Sequence, residues 1–439
     1  MSQDNLRHAQ YGADGVQIDD PQNLLPLPDG AIQTLTQLNG KGIGTRIPFG
    51  RMGTINNSVP ASYQVTAESP CHIEGLRPVF ASIDAVRSYQ HTASKVSVLS
   101  SVATDADLLN NAGTWVTVTQ NGQGAIPVAI SVNGSRIAYT VPDFIPISTI
   151  DRTDGGINPL VAMRTYIADS TATALPAYGN GADSFTNWAT RTDGYLWAAR
   201  QVAGDAVTVP TNFTGGTSAV PQSQSPIIGF QYLARGKVIT VCNPGDSISE
   251  GRGTYIGEGF GCLATRAASA VIGAATEFMQ GGWSGQSCAG VAGFAARALD
   301  ILNTQQILPD VMILPIGSPN DETVTLTAAG VLAQKLAIEL VISECKRKKV
   351  PLVLWTWLPT NYSLRPYGAT DALRRAYNAT MLAKYPNVVD LASLFFGGVD
   401  TNGQDIMILT DDKIHPNDLG NTLAARLLTP AVVEAMYGA

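Results

Sequence analysis

Charged side chains are scarce in this sequence, and their balance is slightly acidic. Lys, Arg, Asp and Glu make up 14% of the 439 residues, and the formal net charge is −7. Proteins that bind nucleic acid or an anionic membrane surface need clustered Lys and Arg. The one basic run, CKRKK at residues 345–349, closes a predicted helix, where cations complement the helix dipole. The composition therefore predicts no nucleic-acid partner and no membrane partner.

Paired cysteines, clustered histidines and long apolar runs are also missing. The five cysteines are scattered and form no CxxC motif, which argues against a disulfide framework and a zinc site. The four histidines are scattered as well and give no convincing set of metal ligands. The polar N-terminus lacks the apolar core of a signal peptide, and no apolar run approaches the ~20 residues that span a bilayer. We expect a soluble protein with free, mostly buried thiols, no cofactor and no metal, whose localisation and oligomeric state stay open.

The chain is long enough for two domains, and its pattern changes near residue 236. Residues 1–58 are rich in Gly, Pro, Asn and Asp and are predicted to form an N-terminal arm or lead-in. Residues 59–235 alternate short β-branched runs with turn-forming stretches, and Asn133-Gly134 predicts a type I′ hairpin turn. This pattern favours a β-sandwich or jelly-roll-like accessory domain. Its Thr-, Ser- and Asn-rich loops make it a candidate for carbohydrate binding, although loops of this composition also occur in proteins that bind nothing. Its predicted strands are 114–120, 128–132, 135–141, 161–168, 205–210 and 227–234.

Residues 236–439 follow a strand-helix rhythm that predicts a three-layer α/β/α domain with a parallel sheet. The clearest predicted helix, 332–348, carries Leu332, Leu336 and Leu340 four residues apart, which we interpret as its apolar stripe. In such domains, ligands bind at the carboxyl ends of the strands. The predicted strands are 237–242, 276–282, 310–317, 351–358 and 387–395.

The stretch CNPGDSISEG, residues 242–251, places Ser247 at the carboxyl end of the first of these strands. Pro244 and Gly245 are predicted to stop that strand as a turn would. A serine in a strand-to-helix turn is not by itself a sign of catalysis. It needs a neighbouring base to become a nucleophile.

The distribution of histidines supplies one candidate base. Three of the four precede residue 236, so His415 is the only imidazole of the predicted α/β domain. Asp412, three residues earlier in DDKIHPND, is close enough to hold the far N–H of the ring, and Asp411 is a less well spaced alternative. A hydroxyl beside a histidine that a carboxylate orients is the arrangement of a nucleophilic serine.

Four blocks of this region resemble those of the SGNH (GDSL-type) hydrolase family. They are GDSISEG at 245–251, the glycine of WSGQS at 283–287, the asparagine of GSPND at 317–321, and DKIH at 412–415. They occur in the order and rough spacing of that family, and the resemblance covers about residues 236–439. It implies a flavodoxin-like α/β/α fold and an ester hydrolase.

The resemblance also implies a role for each matched residue. Ser247 would attack an acyl carbonyl, His415 would accept the serine proton, and Asp412 would orient the histidine. The oxyanion hole would consist of the backbone N–H of Ser247, the backbone N–H of Gly285 and the side-chain amide of Asn320. Losing one such donor typically costs about 3 to 4 kcal/mol of transition-state stabilisation.

One block departs from the family pattern. It usually reads G-x-N-D, whereas here Ser318 and Pro319 separate Gly317 from Asn320. We therefore expect Asn320 to lie in an enlarged turn. Gly282 is the alternative glycine if the second block is placed one turn earlier.

We therefore expect a serine esterase that hydrolyses carboxylic esters through an acyl-enzyme. Several enzymes similar in arrangement couple a β-rich module to the hydrolase and remove acetyl groups from carbohydrate, so the expected substrate is a glycan or small-molecule acetyl ester. The alternatives are a lipase or thioesterase for longer acyl chains, an acyltransferase, and a glycan-binding or tail protein without turnover. Paired-carboxylate glycosidase chemistry would leave His415 unexplained.

Overall fold

The structure is a computed structural model, and the statements below concern the residues that it describes. These are 41–48, 52–55, 60–82, 89–102, 113–128, 136–168, 175–178, 189–192, 195–208, 225–251, 259–322, 326–360 and 368–438. The predicted Asn133-Gly134 hairpin turn and most of the predicted arm lie outside the described residues.

The β-rich region, residues 41–235, is built from antiparallel strands. One sheet has the order β1-β15-β4-β10, with β9 also pairing with β4, and a second has the order β13-β14-β3-β11-β6-β7; β2 pairs with β12, and β5 with β8. The described strands are β1 (Lys41–Arg46), β2 (Met52–Ile55), β3 (Ala61–Glu68), β4 (Ile73–Ser82), β5 (Gln90–His91), β6 (Ala93–Leu99), β7 (Val116–Thr117), β8 (Ile126–Pro127), β9 (Ala138–Thr140), β10 (Ile145–Pro146), β11 (Leu160–Ile167), β12 (Leu175–Tyr178), β13 (Ala189–Thr192), β14 (Tyr195–Ala203) and β15 (Ile227–Arg235).

The two large sheets share one core. Trp197 of β14 stacks on Phe230 of β15 across the sheets, with ring centroids 6.5 Å apart. Alternate residues of β3, such as Tyr63 and Val65, are fully buried and pack in the same cluster as Phe80 of β4. The expectation of a β-rich region with antiparallel sheets is confirmed, while the jelly-roll connectivity stays a prediction.

Sequence patterns located some strands of this region better than others. The strands predicted at 161–168 and 227–234 correspond to β11 and β15. The prediction for 205–210 is wrong over its described residues, 205–208, which form a turn. There, the carboxylate of Asp205 accepts the N–H groups of Val207 and Thr208 at 2.9 and 2.8 Å. An aspartate that captures nearby backbone donors favours a turn over a strand.

The α/β region, residues 236–438, has a parallel sheet between two helical layers. Its strand order is β17-β16-β18-β19-β20, which is 2-1-3-4-5 in chain order and is the flavodoxin-like arrangement. Its elements are β16 (Val238–Gly245), α1 (Ser247–Glu250), α2 (Phe260–Ile272), β17 (Ala275–Gly282), α3 (Phe294–Asn303), β18 (Val311–Pro315), α4 (Ala328–Lys348), β19 (Leu352–Trp355), α5 (Gly368–Lys384), β20 (Val388–Val389), α6 (Ala392–Phe395), β21 (Phe396–Val399), β22 (Asp405–Met407) and α7 (Asp418–Tyr437).

The layers follow from two hydrophobic clusters. Buried residues of α2 and α7 pack on one face of the sheet, and those of α3, α4 and α5 pack on the other. The predicted three-layer α/β/α fold is confirmed. The order of the strands places a switch point between β16 and β18, at whose carboxyl edge ligands bind in sheets of this kind.

Several strand boundaries differ from those predicted: β18 and β19 are shorter than the strands predicted at 310–317 and 351–358, and two further differences have an evident cause. Strand β16 continues to Gly245, past the stop predicted at Pro244, because Pro244 and Gly245 still pair with β17. Its pairing with β18 involves only Val241 and Cys242, which precede the proline. The strand predicted at 387–395 is wrong beyond Val389. The carboxylate of Asp390 accepts the N–H of Ser393 at 3.3 Å and turns the chain into the short helix α6.

The apolar stripe predicted for helix α4 is also wrong. Leu332, Leu336 and Leu340 are 54%, 53% and 61% exposed. The buried residues lie on another side of the helix and are Gln334, Ile338, Val341 and Cys345. Because α4 carries apolar residues on more than one side, packing against α3 and the sheet decides which side is buried.

The thiols lie where the composition predicts them. All five cysteines are free, and four of them are buried. Burial raises the pKa of both the Cys242 and the Cys345 thiol to about 12, so these thiols are inert at neutral pH. In the part of the chain that the structure describes, no helix combines the length and apolarity needed to cross a membrane.

The two regions meet in a continuous interface. Strand β1 pairs with β15, and Ile47 after it forms a parallel bridge with Met279 at the edge of the α/β sheet. The N–H of Gln280 donates to the carbonyl of Ile47 at 2.7 Å, and the N–H of Thr45 donates to the Thr240 hydroxyl at 3.1 Å. Residues 41–47, within the predicted lead-in, therefore join the two regions.

Candidate active site

Ser247 is the first residue of helix α1, directly beyond the carboxyl end of β16. Asp246 is the N-cap of this helix, and its Oδ1 accepts the N–H of Ile248 at 2.9 Å. Position 245 requires glycine because a Cβ there would lie 1.9 Å from the Ser249 hydroxyl. The first N–H groups of a helix have no carbonyl partner within it. The turn therefore presents the Ser247 hydroxyl and a backbone donor at the switch point of the sheet.

A compact loop between β22 and α7 carries the histidine. The Oδ1 atom of Asp412 accepts the N–H groups of Ile414 and His415 at 2.9 and 2.7 Å. Lys413, which directly follows Asp412, has a φ of 68°. A bridge between Thr410 and Pro416 closes the two ends of the loop. An aspartate that turns the chain in this way also brings its own second oxygen back to the side chain three residues on.

The ring of His415 lies between this carboxylate and the serine. Its Nδ1 is 2.5 Å from Oδ2 of Asp412, and its Nε2 is 2.9 Å from Oγ of Ser247. A carboxylate at Nδ1 keeps the ring proton there, so Nε2 is free to accept a proton from the hydroxyl. The alternative carboxylate, Asp411, instead accepts the side-chain amide of Asn417 at 3.3 Å.

The pKa of Asp412 suits this orientation. Partial burial raises the pKa of its carboxyl, but hydrogen bonds from the ring and the N–H of His415 outweigh burial and hold that pKa below its ordinary value. The carboxylate is therefore ionised at neutral pH and can stabilise a positive charge on the ring.

The loop after β17 is fastened to the serine turn. The N–H of Trp283 donates to the carbonyl of Gly245 at 3.0 Å, and the N–H of Ser284 donates to the Glu250 carboxylate at 3.1 Å. Gly285 follows with a φ of 82°, a left-handed conformation that favours glycine, and with open space where a side chain would stand. The alternative glycine, Gly282, lies inside β17, where a Cβ would come within 2.4 Å of the N atom of Glu250.

Asn320 lies in a 3-10 turn, Pro319–Glu322, after β18. Its side-chain amide donates to the carbonyl of Gln286 at 3.0 Å and to the hydroxyl of Ser318 at 3.2 Å. The structure therefore brings Asn320 to the loop that carries Gly285. Both N–H groups of this amide have protein acceptors, so one must be released before the amide can donate to a substrate.

Asp246 is buried beneath the serine turn, and Asp321, in the turn that carries Asn320, is half-buried. Burial raises the pKa of Asp246, which is completely enclosed. Burial also raises the pKa of Asp321 to about 7, and the nearby charge of Asp246 contributes to this shift. Asp321 accepts the N–H of Cys288 at 2.8 Å, which fixes the end of the Gly285 loop.

The site contains residues that sequence analysis did not single out. Arg297 of α3 is buried and donates to the carbonyl of Gly281 at the end of β17. Glu250 and Ser318 hold the two loops that flank the serine. Glu250 and Ser318 stand within the matched blocks and could have been found there, but no sequence signal distinguished Arg297 from a surface arginine of an amphipathic helix.

The arrangement can be compared with known proteins. The sequence profile of the GDSL-like lipase/acylhydrolase family matches residues 245–423, from the serine turn into helix α7. This part of the chain belongs to that family. No curated protein matches the chain.

The GDSL-like domain is also similar to several solved structures. The lipase/acylhydrolase from Enterococcus faecalis is 19% identical over 45% of this chain and 96% of its own, with a TM-score of 0.33. The acetyl xylan esterase AlAXEase is 21% identical over 44% of this chain and 100% of its own, with a TM-score of 0.34. The esterase EstA from a Pseudoalteromonas species is 16% identical over 45% of this chain and 98% of its own, with a TM-score of 0.34.

The chemistry available to the GDSL-like domain is acyl transfer. It holds a hydroxyl, an imidazole and a carboxylate in one hydrogen-bonded line, together with amide donors on three adjacent loops. Among the described residues, no three His, Cys, Asp or Glu side chains lie close enough together to hold a metal ion.

Proposed function

We propose that this protein is a serine esterase in which Ser247, His415 and Asp412 form the catalytic triad. The observation that carries the proposal is the line of contacts from Ser247 Oγ to His415 Nε2, at 2.9 Å, and from His415 Nδ1 to Asp412. Ser247 and His415 lie 168 positions apart in the sequence, whereas Asp412 and His415 lie three positions apart. Each contact is of the kind that general-base activation of a hydroxyl requires.

The reaction would proceed in two halves. Oγ of Ser247 attacks the ester carbonyl while Nε2 of His415 takes the hydroxyl proton, and Asp412 stabilises the resulting imidazolium. The tetrahedral intermediate collapses, the C–O bond to the alcohol breaks, and the alcohol leaves with the proton from Nε2. Water then attacks the acyl-serine, again losing its proton to His415, and the carboxylic acid is released as the serine regains its proton.

The oxyanion of each tetrahedral intermediate would accept hydrogen bonds from the N–H of Ser247, the N–H of Gly285 and the amide of Asn320. The loops that carry these donors are tied together by the Trp283–Gly245 and Asn320–Gln286 bonds. Donors held in place by the fold stabilise developing charge, and the Asn320 amide would exchange one of its protein acceptors for the oxyanion.

The finer proposal is a short acyl group, acetyl above all, on a carbohydrate or small-molecule alcohol. Residues 236–439 would be the hydrolase domain, and residues 59–235, after a lead-in of 1–58, would be an accessory domain that binds the glycan. This preference is supported by the resemblance of the two-part arrangement to carbohydrate-deacetylating enzymes of the same family.

The test is turnover of p-nitrophenyl esters by the full chain, with covalent labelling by a fluorophosphonate. We expect a burst of p-nitrophenol from the acetate, a label on Ser247, and a loss of kcat of about 10^6-fold in Ser247→Ala. A Ser247→Ala variant that keeps its turnover would contradict the proposed function.

Acyl preference is tested separately with esters from acetyl to octanoyl and with an O-acetylated polysaccharide. An acetyl pocket should lose rate steeply beyond butyryl, and the polysaccharide should lose acetyl mass. Faster turnover of octanoyl esters would favour a lipase or thioesterase. Transfer of the acyl group to an added sugar in preference to water would favour an acyltransferase.

A further inference from the structure

We propose that Ser318 is a positioning residue of the oxyanion hole, which connects the N-cap of the nucleophile helix to the Asn320 amide. The proposal rests on the proposed esterase function and adds a residue to it. Ser318 is one of the two residues that enlarge the third block of this chain.

The first half of the connection joins Ser318 to the serine turn. The Ser318 hydroxyl is 2.5 Å from Oδ2 of Asp246. The other oxygen of Asp246 accepts the N–H of Ile248 at 2.9 Å and so caps the helix that begins at Ser247. One carboxylate therefore contacts both the helix of the nucleophile and the loop of the third oxyanion donor.

The second half joins Ser318 to that donor. The oxygen of the hydroxyl accepts the backbone N–H of Asn320 at 3.1 Å and its side-chain amide at 3.2 Å. The same amide donates to the carbonyl of Gln286, which directly follows Gly285. Ser318 therefore contacts Asn320 directly. It is linked through Asp246 to the helix of Ser247, and through the Asn320 amide to the residue after Gly285.

Burial makes these bonds hard to replace. Ser318 and Asp246 are both fully enclosed, so water cannot take over a lost contact. A hydroxyl has one donor and two acceptor positions. Here both acceptor positions face Asn320, and the donor is within reach of Oδ2 of Asp246 and, at 3.0 Å, of the Gln286 carbonyl. Removing the hydroxyl would leave a buried carboxylate oxygen without this donor and would leave the Asn320 amide held by the Gln286 carbonyl alone, a costly arrangement in a low-dielectric interior.

A purely structural role explains only part of this pattern. A serine at the start of a 3-10 turn commonly accepts the N–H two residues on, as Ser318 does. That role requires neither the contact with Asp246 nor the contact with the side-chain amide. These two contacts bear on the nucleophile and the oxyanion donor, and they account for a serine at this position.

A loosened Asn320 amide should weaken the transition state more than the bound substrate, because the oxyanion forms only during the reaction. We therefore expect Ser318→Ala to lower kcat about 10- to 100-fold with KM nearly unchanged. If Ser318 acts through Asn320, the same substitution in an Asn320→Ala background should lower kcat by less than about 3-fold.

The experiment is this double-mutant cycle on the full chain with p-nitrophenyl acetate, alongside the melting temperature of each variant. Ser62→Ala is the matched control. The Ser62 hydroxyl is equally buried, accepts the N–H of Ala206 and donates to the carbonyl of Gly204, both at 2.8 Å, in the β-rich region. It should lower the melting temperature while leaving kcat within about 2-fold.

Each outcome has a defined meaning. A Ser318→Ala kcat within 2-fold of the wild type, or an equal loss with and without Asn320, would overturn the positioning role. If Ser318→Ala does not fold, the cycle is run with Ser318→Cys, whose thiol fills the space of the hydroxyl but is a weak hydrogen-bond partner. A wild type without turnover or fluorophosphonate label would overturn both the esterase function and this inference. If the wild type is active, the result for Ser318→Ala bears on this inference alone.

Discussion

His91 in the β-rich region and His415 in the α/β region are both buried, yet their surroundings differ completely. His91 stacks on Phe80 with ring centroids 3.8 Å apart, and its Nδ1 is 2.7 Å from the Thr165 hydroxyl. Burial lowers the pKa of His91 to about 3, so it stays neutral. His415 lies between a carboxylate and a serine at the edge of the sheet.

The difference teaches that burial of a polar side chain does not indicate function in this protein. In the β-rich region, one such group is the Arg164 guanidinium, which donates to Gln64 on the neighbouring strand. At the candidate site of the α/β region, such groups come from loops far apart in sequence and meet at the carboxyl edge of parallel strands. The convergence of loops at an open edge distinguishes the candidate site.

Substituting the two histidines in parallel is the strongest test of this contrast. His415→Gln should lower kcat/KM for p-nitrophenyl acetate by at least about 10^4-fold, because the general base is lost. His91→Gln should lower the melting temperature through lost packing while leaving kcat/KM within about 2-fold. A large activity loss in His91→Gln would break the contrast between the regions.

The second comparison uses two aspartates that hold cationic or ring partners. Asp412→Asn should lower kcat about 10^3- to 10^4-fold, because an amide no longer fixes the tautomer of His415. In the β-rich region, Asp154 makes two bonds of 2.7 Å to Arg152. Asp154→Asn should destabilise the fold and leave kcat of the folded fraction unchanged, as steady-state kinetics with active-site titration would show.

Two carboxyl groups, those of Asp154 and Asp321, should give opposite pH dependences of stability. Hydrogen bonds from Arg152 hold the pKa of Asp154 well below its ordinary value, so its stabilisation is present at neutral pH and lost on acidification. Burial raises the pKa of Asp321 to about 7, so its stabilising protonated form is lost as the pH rises from about 4 through 7.

Denaturant unfolding of the wild type and Asp321→Asn between pH 4 and pH 8 measures this effect. The free energy of unfolding of the variant should rise relative to that of the wild type by up to about 4 kcal/mol over that range. Asp154→Asn should instead change how steeply the free energy of unfolding depends on pH in the more acidic range. Parallel profiles for Asp321→Asn and the wild type would contradict the raised pKa.

The smallest expected effect concerns the outer helical layer. Every residue of β3 is buried, whereas α4 exposes Leu336 to solvent. Leu336→Gln should change the free energy of unfolding by less than about 0.5 kcal/mol. Ile338→Ala, two positions away on the buried side, should lower it by about 2 to 5 kcal/mol. Equal effects of the two substitutions would show that Leu336 is covered in solution.

The sequence by itself determined the class of the fold and the order of the candidate site. The strand-helix rhythm after residue 236 predicts a parallel sheet because apolar strands and amphipathic helices are local patterns. The single histidine of that region, three residues after Asp412, identified the pair that now lies beside Ser247. Such inferences depend on residue type and short spacing, which sequence displays directly.

Tertiary structure alone decided what depends on contacts between distant segments. Which side of α4 is buried follows from its neighbours, and the end of β16 follows from its pairing with β17. The contact between Ser318 and Asp246 joins residues 72 positions apart. Its existence depends on the crossing of two loops at one sheet edge, and no local periodicity encodes that geometry.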